Sequence, residues 1–142
     1  MRSWQNNRRA DVDTPPMTLY ISAAEAVEIH RAMIEAHGGS HGIRDVGALE
    51  SVLFRPQSGY YDDIVAEACA LLESLAVNHP FVDGNKRVAF ATMEIFLLIN
   101  GWRIDATQQQ IYRFMMRLFD SGQFELSKLD KWFRSRMVKD ES

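Results

Sequence analysis

The chain of 142 residues has a single cysteine and no long apolar run. Cys69 cannot form a disulfide within the chain, so we expect a buried thiol and a reducing compartment such as the cytoplasm. No stretch approaches the ~18 apolar residues that a membrane span needs, and the first residues lack the apolar segment of a signal peptide. These absences predict a cytoplasmic protein with no membrane partner.

Positive charge is also scarce, because 16 Lys and Arg stand against 19 Asp and Glu, for a net charge of −3. A protein that coats nucleic acid needs a basic face that neutralises phosphates. The charge balance therefore argues against direct nucleic-acid binding. The length suits one domain with a proper hydrophobic core.

Capping signals and apolar residues at helical spacing indicate an all-α domain of about six helices over residues 17–138. The helices are expected to begin at Ser22, Asp45, Asp63, about Gly84, Thr107 and Ser127. Residues 1–16 are polar and show no usable period. We expect them to be a poorly ordered arm, or an over-long start before a true initiator at Met17.

The stretch from His79 to Arg87, HPFVDGNKR, joins the third helix to the most apolar segment, Val88 to Ile99. Pro80 disfavours a helical conformation for His79, so the third helix should end there. A helix that is apolar on nearly every side should be surrounded by others. Its N-terminus would then form the floor of a pocket.

The polar residues of this join are suited to phosphate chemistry. The first N–H groups of a helix attract phosphate, and Lys86 and Arg87 add two full charges. Asp83 is a hard oxygen ligand that could hold Mg²⁺ against phosphate oxygens. His79 can accept a proton near neutral pH, as a general base must. Together these residues fit a nucleoside triphosphate.

Each of these residues also has a purely structural interpretation. His79 could serve simply to end a helix, and Asp83 could serve simply as an N-cap. Lys86 and Arg87 could be an ordinary solvated first turn. Their combination within nine adjacent residues favours a phosphate-binding or catalytic site over these structural roles. By contrast, three other histidines, which have no Cys or acidic companion, are expected in solvated or capping roles rather than as a metal site. They are His30, His37 and His41.

The nine residues resemble the signature of the Fic/Doc family, H-x-F-x-[DE]-[AG]-N-[GK]-R, at all seven specified positions. Lys86, where most Fic enzymes have glycine, makes the motif similar to the Doc, or death-on-curing, branch of toxin–antitoxin systems. Flanking segments extend the likeness over roughly Thr18 to Met137. The resemblance implies a Fic/Doc-like helical bundle with a small β-hairpin in a flap at residues 55–61.

The resemblance also implies a role for each matching position. His79 would be the catalytic base, Asp83 the Mg²⁺ ligand, Asn85, Lys86 and Arg87 the phosphate-binding residues, Gly84 the small residue over which phosphate passes, and Phe81 the aromatic that packs the loop. The flap would hold the backbone of a target protein as an added strand, with Gln57 and Tyr60 as weak docking candidates. An ordinary connection is an equally good interpretation of that segment.

Two departures from the Fic pattern bear on the reaction. Fic enzymes that transfer AMP have a second Arg where this chain has Phe90, and Lys86 fills space that glycine leaves open. In the Doc branch, these differences accompany a nucleotide that is bound in the reversed orientation, and the terminal phosphate is transferred. The resemblance therefore implies a toxin that uses ATP and Mg²⁺ as a protein kinase. The branch suggests elongation factor Tu as the target.

Two alternatives to the kinase stay open: a Fic-type AMP transferase, and a non-catalytic relative that only binds an antitoxin. Family members that restrain themselves carry an [ST]-x-x-x-E-[GN] motif. The nearest stretch here, Ser121 to Glu125, is followed by Leu126 and misses it. Restraint is therefore expected from another chain, a Phd-like antitoxin.

Overall fold

The structure, a computed structural model, describes residues 17–141. The expected arm at residues 1–16 lies outside the described residues, and the division at residue 17 stays a prediction. The described part of the chain contains six α-helices, a short 3₁₀ turn and two short strands. They are α1 Ala23–His37, α2 Val46–Phe54, the 3₁₀ turn Arg55–Gln57, α3 Ile64–Asn78, α4 Asn85–Ile99, β1 Trp102–Ile104, α5 Gln108–Asp120, α6 Leu126–Arg134 and β2 Met137–Lys139. The predicted all-α architecture is confirmed.

Side-chain caps at the predicted positions begin four of the helices: Ser22 for α1, Asp45 for α2, Asp63 for α3 and Thr107 for α5. The prediction for α6 is wrong, because its N-cap is Glu125 and not Ser127. The N–H of Leu126 instead donates to the Glu73 carboxylate of α3 at 2.8 Å. A partner that is distant in sequence thus sets the start of this helix.

The small antiparallel sheet is present, but it lies away from the flap in which it was expected. β1 pairs with β2, with Arg103 opposite Val138, so the sheet joins the chain after α4 to the chain after α6. Residues 55–61 contain the 3₁₀ turn and no strand. Pro56 explains part of this difference, because it has no N–H to donate to a strand and its fixed φ suits a helical turn.

The core is centred on α3 and α4, whose buried residues include Leu72, Leu75 and Phe96, none with measurable exposure. Cys69 is buried among them, as predicted, and burial raises the pKa of its thiol. No helix in residues 17–141 combines the length and apolar character that a membrane crossing requires.

The expectation that other helices surround α4 is correct for its first half only. Val88 and Ala89 are fully buried, whereas the last two turns expose 37–45% of three apolar residues: Ile95, Leu98 and Ile99. Among the described elements, α1, α3 and β1 pack closely against α4, and α5 contacts it through side chains such as Gln108 and Phe119. Because these cover only part of its circumference, one face of its C-terminal half stays open.

Candidate active site

His79 lies where α3 ends, in a backbone conformation that non-glycine residues seldom adopt. It is the C-cap of α3, with φ +48° and ψ +59°, and such left-handed geometry is strained for most side chains. Arg44 stabilises it, because its Nε donates to the carbonyl of His79 at 2.6 Å and its Nη2 donates to the carbonyl of Asn78 at 2.8 Å. The last carbonyls of the helix thereby find donors. The exposed imidazole of His79 borders a groove.

We expect Arg44→Ala to destabilise the fold by about 1–2 kcal/mol, since two hydrogen bonds from a charged group are lost at a strained turn. Urea unfolding measures this free energy. The matched control is Arg31→Ala on α1, which removes only an exposed ion pair with Glu28 at 2.9 Å and should cost under about 1 kcal/mol. Equal losses for the two variants would contradict a special role for Arg44.

Phe81 fixes the loop to the core, as its predicted packing role requires. Its side chain is 1% exposed, and its ring stacks on His30 with centroids 4.1 Å apart and planes 5° from parallel. Asn85 binds both the N–H and the carbonyl of Phe81, each at 3.0 Å. The Asn85 amide thus holds the loop, so a phosphate contact from this residue would come from its backbone N–H or its second amide N–H.

His30 is a site residue that the sequence prediction placed wrongly. Instead of being solvated or a cap, it is 3% exposed, and its Nε2 lies 2.8 Å from the carbonyl oxygen of Asp83. Since a carbonyl only accepts, Nε2 must carry the proton. The sequence feature that could have indicated its burial is its position on the apolar face of α1, four residues from both Ala26 and Ile34.

Asp83 lines the groove, and its carboxylate is oriented by two backbone groups. Oδ1 accepts from the N–H of Gly84 at 2.8 Å, and Oδ2 accepts from the N–H of Ser40 at 3.1 Å. A Cβ at Gly39 would lie 2.8 Å from Oδ2, so the chain after α1 can approach the carboxylate only with glycine there. Each oxygen keeps lone-pair capacity for a further ligand.

The N-terminus of α4 lacks the side-chain cap that Asp83 was considered to provide. Its N-cap is Gly84, at φ +72°, and no hydrogen bond from a described side chain closes the first turn. The other five helix starts receive a side-chain acceptor, which for α6 is Glu73 of α3. The first N–H groups of α4 therefore stay available to an anion.

A groove of about 930 Å³ opens over this N-terminus. It brings together the six motif residues that were predicted to act in catalysis, metal binding or phosphate binding: His79, Asp83, Gly84, Asn85, Lys86 and Arg87. Lys86 leans along the wall made by α5, with Nζ 4.4 Å from the centre of the Phe119 ring. Beside the N-terminus of α4, the groove therefore brings the cations of Lys86 and Arg87 together with the Asp83 carboxylate and the exposed imidazole of His79.

The two weak docking candidates do not line this groove. The Gln57 amide donates to the carbonyl of Leu53 at 3.3 Å, which closes the end of α2. Tyr60 is 81% exposed. Their role in docking stays a prediction. The segment that contains Gln57 and Tyr60 is attached to α3 by Arg55. The Arg55 guanidinium donates to Glu73 at 2.8 Å and to the Ser74 hydroxyl at 2.6 Å.

The far end of the groove holds a polar pair that the sequence analysis did not identify. Glu94 of α4 is half-buried, and Nε2 of Gln108 on α5 donates to its Oε2 at 3.4 Å. Burial raises the pKa of Glu94, while this hydrogen bond opposes the rise. The available signal was that Glu94 is one of only two polar residues in the apolar run from Val88 to Ile99.

The chain is similar in sequence to known proteins. The sequence model of the Fic/DOC family matches residues 20–97. The chain is 45% identical over 76 residues to "Toxin Doc" of Mycolicibacterium smegmatis, an alignment that covers 50% of this chain and 58% of that protein. It is 33% identical over 89 residues to "Protein kinase doc" of Escherichia phage P1, which covers 60% of this chain and 71% of that protein. The match to the mycobacterial toxin thus spans less than two thirds of that protein's length.

Proposed function

The chain belongs to the Fic/DOC family, and from this membership and the groove we propose that it is a Doc-type toxin with protein kinase activity. It transfers the terminal phosphate of ATP to a hydroxyl of a target protein, with elongation factor Tu as the candidate target. The relative from Escherichia phage P1 is named a protein kinase. The resulting arrest of translation would slow growth.

The observation that carries this proposal is the uncapped N-terminus of α4, which lines the same groove as His79 and Asp83. Phosphoryl transfer needs little covalent chemistry from the protein, so catalysis rests on positioning and on stabilising charge at the phosphoryl oxygens. Lys86, Arg87 and the first N–H groups of α4 supply that positive charge. The same groove holds an exposed imidazole, as a general base requires.

In the proposed reaction, His79 accepts the proton of the target hydroxyl as its oxygen attacks the terminal phosphorus. The bond between that phosphorus and the bridging oxygen breaks, and ADP leaves. Asp83 would hold Mg²⁺, because its two oxygens each receive one backbone N–H and retain capacity for a metal. The ion would neutralise phosphate charge.

Label transfer from ATP tests the proposal. Purified protein is incubated with a cell extract and with either γ-labelled or α-labelled ATP, and labelled proteins are detected after separation. We expect one protein to gain the γ label and none to gain the α label. Transfer of the α label would establish AMP transfer instead, and no transfer of either label would favour a non-catalytic binding protein.

Lys86 should determine which phosphate is transferred. We expect Lys86→Gly to reduce γ-label transfer by roughly tenfold or more, since a charged donor to phosphate is worth about 1.5–3 kcal/mol. The single variant should not transfer AMP efficiently, because Phe90 stands where a second Arg would be needed. Only Lys86→Gly with Phe90→Arg should gain α-label transfer.

The control for Lys86 is Lys128→Gly, which places the same change in the first turn of α6. Both variants lose helix propensity of about 1 kcal/mol, but only Lys86 lines the groove. If Lys86→Gly and Lys128→Gly both keep the γ-label transfer of the wild type, the lysine at position 86 does not orient the nucleotide.

A second chain should restrain the toxin, because the described helices supply no self-inhibitory motif at the expected place. Ser121 only closes α5, where its hydroxyl donates to the carbonyl of Arg117 at 2.9 Å, and Glu125 begins α6. We therefore propose a Phd-like antitoxin with a segment that folds on binding. A cytoplasmic location is also a proposal, supported by the lone buried thiol of Cys69.

A further inference from the structure

Beyond the phosphate site, the groove continues between α4 and α5 to the polar pair at its far end. One face of α5 and the facing side of α4 give it mainly apolar walls, among them Phe90, Ile111 and Met115. Phe119 lies beside Lys86, near the phosphate end. A narrow apolar slot that ends in a few polar groups is the usual form of a small-molecule site.

The length of this slot suits a nucleoside. Arg87 and Glu94 are seven positions apart on α4, so about 10 Å of helix axis separates the phosphate end from the polar end. A nucleotide whose phosphates contact the first turn would place its sugar and base along the slot. Aromatic and methionine side chains are favourable neighbours for the flat faces of a base.

The polar end presents hydrogen-bond acceptors. Nε2 of Gln108 donates to Oε2 of Glu94, which leaves Oε1 of each side chain able to accept. An acceptor pair of this kind matches an exocyclic amine and repels a carbonyl oxygen.

We propose that Glu94 and Gln108 form a nucleobase subsite that selects adenine through the amine on its carbon 6. This inference rests on the proposed function, because it takes the phosphates to lie at the N-terminus of α4. Guanine carries a carbonyl oxygen on carbon 6, which the same two acceptors would repel.

Equilibrium binding to the unmutated chain of 142 residues, with Mg²⁺ and without a target protein, tests the subsite. The ligands are ATP, ITP, GTP and inorganic tripolyphosphate. ITP carries a carbonyl oxygen in place of the amine, with a hydrogen on the adjacent N1, so we expect ATP to bind about tenfold more tightly. Tripolyphosphate, which has no base, should bind more weakly than ATP. This comparison needs no variant, and equal affinity for ATP and ITP would overturn the proposal.

Glu94→Gln should reverse the preference, because its amide N–H can donate to the oxygen of ITP. Its affinity for tripolyphosphate should stay close to that of the wild type, since a charge about one Debye length from the phosphates is largely screened. The matched control, Glu50→Gln on the exposed surface of α2, should keep the tenfold preference for ATP. A Glu94-dependent preference for GTP would overturn the assignment of adenine.

The same experiment separates this subsite from the kinase proposal. Equal binding of ATP and tripolyphosphate would remove the subsite and leave the phosphate site intact. A clear preference for ATP over ITP, combined with no label transfer to any protein, would retain the subsite and remove the kinase. Failure of all four ligands to bind would overturn both.

Discussion

His79→Ala should lower the rate of phosphate transfer by about 10²–10⁴-fold, because general-base assistance typically contributes that much. His79 ends α3 in the left-handed region, where alanine is strained by about 1–2 kcal/mol. Loss of activity from alanine alone could therefore come from a shifted loop. The rate is measured by γ-label transfer to the target, and the fold by urea unfolding.

His79→Asn is the matched control, because asparagine tolerates the left-handed conformation but cannot act as the base. We expect it to keep nearly wild-type stability and nucleotide binding, and to lose as much activity as His79→Ala. An asparagine variant that transfers phosphate at the wild-type rate would show that His79 only terminates the helix. The alternative considered from the sequence would then be correct.

Phe81→Ala should destabilise the fold by about 3–5 kcal/mol, the usual cost of removing a buried aromatic side chain. The ring is 1% exposed and stacks on His30, so its loss leaves a cavity between the loop and α1. His30 also contacts the carbonyl of Asp83. We therefore expect the variant to weaken Mg²⁺-dependent nucleotide binding as well, in folded protein below the unfolding transition.

The control for Phe81 is Val82→Ala, one residue along the same loop. Val82 is 54% exposed, so its truncation should change stability by only about 0.5 kcal/mol or less. Both variants are compared by urea unfolding monitored at two wavelengths. A loss for Phe81→Ala no larger than that for Val82→Ala would mean that the aromatic ring does not hold the loop.

The parts of the fold that follow local rules could be predicted from the sequence. Ser22, Asp45, Asp63 and Thr107 begin their helices as expected, because each cap bonds an N–H only three residues away. The motif residues meet in one groove for a similar reason: they are adjacent in the chain, so a helix end, a short loop and a helix start suffice to gather them.

Contacts between residues far apart in the chain could not be predicted. Arg44 and His79 are separated by 35 positions, and His30 and Asp83 by 53; no periodic pattern links either pair. The start of α6 depends on Glu73 in the same way. Glu94 gains its polar partner only because α5 lies across the groove and brings Gln108 beside it.

The pairing of the two short strands could not be predicted from the sequence. β1 and β2 have three residues each, which is too few for an alternating pattern to stand out. Their pairing depends on where α5 and α6 return the chain. The open face of α4 has the same origin, since it depends on how many neighbours reach the end of that helix.

The most direct test of the phosphate site is a crystal structure of the protein with Mg²⁺ and an ATP analogue whose terminal phosphate cannot be transferred. We predict that the terminal phosphate contacts the first N–H groups of α4 and the side chains of Lys86 and Arg87, with Mg²⁺ bound to Asp83 and the His79 imidazole facing the phosphate. An α-phosphate in that position, or a nucleotide bound outside the groove, would contradict the proposed kinase.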